Sequence, residues 1–148
     1  ANDIPVGAYL ELRRGKEDGV VIIDWQGRRP KRDWVRVAVP REDGLSFEML
    51  KRQVVCECDE LMTMWVDNFA GMDALAQHLA NVNRPLSELA RQIFLGLARL
   101  NPQGTVHAKT MYSAINLVRR VAPAPLFAEM ALTPSFRPVG DGYWVWSE

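Results

Sequence analysis

The stretch VVCECDELMTMW, residues 54–65, holds both cysteines of the chain, one residue apart, with Glu57, Asp59 and Glu60 around them. Thiolates and carboxylates at such spacing are the ingredients of a metal or redox site, provided that two sulfurs converge. On a helix, residues two apart lie about 200° apart around the axis, so Cys56 and Cys58 face nearly opposite sides. On a strand they share a face. The apolar spacing favours the helix: Phe47, Leu50, Val54, Cys58, Leu61, Trp65 and Phe69 fall on one stripe at about 100° per residue. A structural zinc site also needs a second pair of ligands, and the remaining candidates are only His78 and His107. The reading is a core Cys58, a partly exposed Cys56, and neither metal nor cofactor.

The two histidines are the natural general-base candidates. His78 lies in ALAQHLAN and His107 in GTVHAKT, and neither belongs to a local nucleophile signature such as G-x-S-x-G. The glycines are scattered and form no phosphate-cradling loop. Asp59 and Glu60 read as solvated charge on a polar helix face. The residues assemble no catalytic constellation in sequence, and the expectation is a protein that is not an enzyme.

Charge does little to define a partner. Eighteen basic side chains balance eighteen acidic ones, for a formal net charge of zero, so nucleic acid or a membrane surface is attracted only by a local patch. The densest patch is RRPKR, where Arg28, Arg29 and Arg32 sit at an expected hairpin tip, diluted by Glu17, Asp18, Asp24 and Asp33. A second candidate lies at 72–90, MDALAQHLANVNRPLSELA, which resembles the helix-turn-helix pattern. Leu75, Leu79, Leu86 and Leu89 fill its apolar positions and Ala76 its small one. Ala80 stands where the turn glycine belongs, and Asn81 where an apolar residue does. Arg84 and Arg91 are the basic side chains such a segment would turn to DNA.

These residues must be positioned by elements that the pattern foretells. Segments 6–14, 19–26 and 33–40 read as strands, short and rich in β-branched and aromatic residues, joined by turn-forming RGKEDG and GRRPKRD. A three-stranded antiparallel meander is the economical arrangement. Val35, Val37 and Val39 alternate with Trp34, Arg36 and Ala38, one set towards a core and one towards water. After Pro40 the period becomes helical. Helices are expected over 47–69, with Asp43 or Ser46 as cap and Gly71 as stop, over 72–81, over 85–100 with Pro85 at a first helical position, and over 106–121. Residues 126–132 allow a further helical turn. YWVWS reads as a terminal strand beside the meander.

The 148 residues suit a single α+β domain: a strand-rich part at 1–40, a helical part at 45–122, and a C-terminal extension at 123–148. Its sheet holds the three N-terminal strands and the C-terminal one, packed on about four helices. In the last strand Trp144 and Trp146 share one face and Tyr143 the other, a concentration of aromatic side chains that suits a partner surface. The functional expectation is a non-catalytic interaction or regulatory protein acting through protein contacts, a homodimer, with Tyr143, Trp144 and Trp146 binding the partner. A small DNA-binding transcriptional regulator using 72–90 is the alternative. Arginine far outnumbers lysine, as in GC-rich bacterial coding sequences. No apolar run reaches the roughly 20 residues of a membrane span, ANDIPVGAYLELRR lacks the pattern of a signal peptide, and two cysteines make no disulfide framework. A cytoplasmic location is expected.

Overall fold

A computed structural model of the chain describes residues 9–26, 31–54 and 59–147. The α+β class holds: the described residues form seven strands and four helices. They divide into two compact units, one of 1–34 with 51–58 and one of 35–50 with 59–148.

The first unit is built on a hairpin of β1 (Tyr9–Arg14) and β2 (Val21–Gln26), antiparallel with Leu10 opposite Trp25, Leu12 opposite Ile23 and Arg14 opposite Val21. Its turn closes through Gly15 N–H to the Val20 carbonyl at 2.8 Å. Gly19 has φ of 85° there, a conformation that side chains with a Cβ resist. β3 (Lys31–Pro40) and β4 (Leu45–Val54) form a second two-stranded sheet and contribute residues to both units. The N-terminal strands therefore number four rather than three, and they pair as two hairpins.

The helix expected over 47–69 is corrected by β4. Asp43 and Ser46 cap nothing. Glu42-Asp43 is instead a hairpin turn, in which Arg41 N–H donates to the Gly44 carbonyl at 2.8 Å and the chain doubles back on β3. With Glu42 and Asp43 as its central residues the connection is a two-residue hairpin loop, and the strand pairing it starts outweighs a stripe that a run of mixed spacing can also satisfy. Residues 59–63 then turn on Asp59, whose carbonyl accepts from the N–H groups of Met62 and Thr63 at 3.0 and 2.9 Å.

The first helix of the second unit, α1 (Phe69–Asn81), begins where the expected one ended. Asn68 caps it, accepting from Gly71 N–H at 2.8 Å, so Gly71 sits in the first turn rather than at a stop. α2 (Leu86–Ala98) follows as expected and is the centre of the core. Its Leu89, Ala90, Ile93, Phe94 and Leu97 recur at three- and four-residue spacing and are all buried, against Met111 and Ile115, Leu126 and Met130. The expected helix over 106–121 is divided. Val106 and His107 form β5, and α3 runs Ala108–Asn116, capped by His107, whose Nδ1 accepts from Lys109 N–H at 3.0 Å. α4 (Pro123–Leu132) starts on a proline, which loses nothing at a position without a helical N–H partner.

The terminal strand exists but has other neighbours than expected. β7 (Tyr143–Trp146) lies between β5 and β6 (Phe136–Gly140), antiparallel to both, rather than beside β1–β3. Asp141 and Gly142, at φ of 50° and 79°, make the tight turn that folds β7 back on β6. Pro138, which argues against a central strand, is tolerated because β6 is an edge.

Candidate functional site

The β1–β2 hairpin leaves a run of large apolar side chains in water. On one face cross-strand pairing brings Leu10, Leu12, Val21, Ile23 and Trp25 together, each between 44% and 66% exposed. The opposite face carries Glu11, Arg13 and Asp24 beside an exposed Ile22, and Arg13 pairs with Asp24 and, at 3.6 Å, with Glu11. The hydrogen bond to Asp24 and the charge of Glu11 hold the Arg13 guanidinium above its ordinary range. At the turn Arg14 reaches Asp18 at 2.8 Å. Both faces of the hairpin stand in water, and two strands alone gain little stability there. Trp34, in the same unit, is also exposed, with the Lys51 ammonium 5.6 Å from its ring centroid. The apolar run VVII at 20–23, alternating across from Leu10 and Leu12, was the available signal for this face; an expected covering layer of helices hid it.

Tyr143, Trp144 and Trp146 are half-buried rather than displayed. Trp146 meets Phe136 edge-on at 4.9 Å and carries the Arg91 guanidinium 5.5 Å from its centroid, while Tyr143 stands edge-on to His107 at 4.8 Å. These contacts knit β7 to its neighbours.

The helix pair nominated for DNA is present as α1 and α2. Its left-handed turn residue is Asn83, at φ of 47°, and not Ala80, which lies within α1. Arg84 is drawn inward: Nη1 donates to the Asp43 carbonyl at 2.8 Å and to Gln92 Oε1 at 3.2 Å, with Glu88 3.7 Å from Nε. Arg91 is the cation on Trp146. Arg32 is exposed on β3, whereas Arg28 and Arg29 lie outside the described residues, as do Cys56 and Cys58.

Among the described residues His78 has a carboxylate partner, Nε2 lying 3.1 Å from Asp43 Oδ1, both well exposed. His107 caps α3 and lines a cleft with Arg36 and Tyr143. Gly142 lies over its ring, so close that a Cβ there would stand 2.6 Å from Nε2. Among the described residues, no three His, Cys, Asp or Glu side chains converge as metal ligands, and no helix is long and apolar enough to cross a membrane. Comparison with protein-family models, with curated proteins and with solved structures finds no match to this chain.

Proposed function

We propose that this chain is a non-catalytic interaction or regulatory protein that self-associates through the apolar face of the β1–β2 hairpin. The observation that carries the reading is the row of Leu10, Leu12, Val21, Ile23 and Trp25, exposed together on one face. A second copy suits it best. The face is uncharged apart from Arg14 at its turn end, so it is complementary to itself, and a zero net charge sets no repulsion between copies. Trp25 offers the largest single area, since an aromatic side chain covers on the order of 150–250 Å2, and the four aliphatic side chains carry the apolar surface on towards the turn. The C-terminal rings, packed on Phe136, Arg91 and His107, leave the larger apolar area to the hairpin. Sedimentation velocity across a concentration range tests the reading. Wild-type protein should sediment as a dimer, and the Leu12→Lys, Ile23→Lys variant as a folded monomer. A wild-type monomer throughout, or a dimer unaffected by the substitutions, would overturn it.

A DNA-binding regulator is the second reading, favoured by the occurrence of α1 and α2 as a helix pair joined by a short turn at 82–85. Fluorescence anisotropy of labelled duplex DNA at two salt concentrations tests it. Binding that weakens steeply with salt and is lost in Arg84→Glu, Arg91→Glu supports this reading, and flat traces at low salt remove it.

A further inference from the structure

We propose that the cleft holding Arg36, His107 and Tyr143 is a binding site for a small organic monocarboxylate, with the Arg36 guanidinium as the receptor for its head and an apolar wall for its body. Arg36 projects from β3 and is held along one side only, Nη1 donating to the backbone carbonyls of Glu60 and Thr63 at 3.1 and 3.4 Å. Both acceptors are neutral, and among the described residues Arg36 makes no ion pair. Burial lowers the guanidinium's affinity for its proton, with Tyr143 and Glu60 acting in the opposite direction. A partly desolvated cation whose hydrogen bonds go only to neutral oxygens, with the Glu60 charge acting without a direct ion pair, keeps the capacity to take a carboxylate. Its planar fork matches a carboxylate.

The surroundings define the rest of the ligand. The cleft measures about 300 Å3 and its wall includes Leu61, Leu97 and Leu100. At ~30 Å3 per water-sized group, that is room for about ten non-hydrogen atoms. Tyr143 borders the same cleft, its ring braced edge-on by His107, which brings a hydroxyl-bearing side chain to the site. Lys109 is paired with Asp59 at 2.9 Å, and Arg36 is the one guanidinium or ammonium group among the described residues lining the cleft. A single charge selects a monoanion over a phosphate dianion.

Isothermal titration of the full chain with phenylacetate tests the site at constant ionic strength. Acetate, benzyl alcohol and inorganic phosphate serve as comparisons. Phenylacetate should bind saturably at one site, and each comparison compound at least tenfold more weakly. Arg36→Lys, which keeps the charge but loses the fork, should weaken phenylacetate about tenfold. Tyr143→Phe should weaken it severalfold while leaving the protein folded, which keeps the test valid if substitution of Arg36 loosens the 59–63 turn. The proposal is overturned by absence of phenylacetate binding, by equal binding of benzyl alcohol or phosphate, or by unchanged affinity in both variants.

Discussion

Replacing Gly142 with alanine should cost far more than one methyl group suggests, and the cost should depend on His107. Two terms add. At φ of 79° a residue with a Cβ pays about 1–2 kcal/mol for the left-handed conformation. The added Cβ would also stand 2.6 Å from His107 Nε2, forcing the ring aside. That ring caps α3 through Lys109 N–H and stands edge-on to Tyr143, contacts worth about 1 kcal/mol each. Gly142→Ala should therefore destabilise by about 3 kcal/mol and His107→Ala by about 2 kcal/mol. Once the ring is gone the alanine meets only the backbone term, so the double variant should lose about 3.5 kcal/mol rather than about 5, a coupling of about 1.5 kcal/mol. Urea unfolding followed by circular dichroism, with all four proteins at equal slope, measures the cycle. Additivity within about 0.5 kcal/mol would refute the argument that the ring's approach is what requires glycine.

Acidification tests the Asp59 turn. Lys109 and then the Leu61 N–H hold the Asp59 carboxyl below its ordinary value of 3.8, so this group adds stability above that value and loses it as pH falls towards the depressed folded one. Urea midpoints taken from neutral to acid pH should fall more steeply for wild type than for Lys109→Met; parallel curves would contradict the pairing. Phe94, fully buried and edge-on to Phe136 at 5.1 Å, should cost about 3–5 kcal/mol on truncation to alanine, read as a lower urea midpoint; a loss below about 1.5 kcal/mol would place it outside the core. Asn83 at φ of 47° should accept glycine with little change but lose about 1 kcal/mol as alanine, measured by the same unfolding curves; equal stabilities would contradict the strained turn.

The strands of the N-terminal segment were legible because β-branched residues alternate there between turn clusters, and α1 and α2 because Leu75, Leu79, Leu89 and Ile93 keep a helical period. Two short turns account for the principal misreading. Glu42-Asp43 and Asp141-Gly142 each reverse the chain onto the strand before it, the second with positive φ at both residues. Taking Asp43 as a helix cap turned β4 into a helix; passing over Asp141-Gly142 hid β6 and gave β7 the wrong neighbours. Periodicity could not arbitrate, since Phe47, Leu50 and Val54 fit a helical stripe while Leu45 and Phe47 fit a buried strand face. The hairpin face and Arg36 were harder to foresee. Whether Leu12 is covered, or Arg36 finds a carboxylate, depends on what lies across from it in space, which local pattern does not encode.

Self-association through the hairpin is tested most directly by a photo-cross-linker. A benzophenone amino acid is placed at Leu12, and isotopically heavy and light copies of the full chain are mixed before irradiation. The account predicts covalent heavy–light dimers whose links fall within β1 and β2 of the second copy. Absence of covalent dimers, or links confined to other segments, would contradict it.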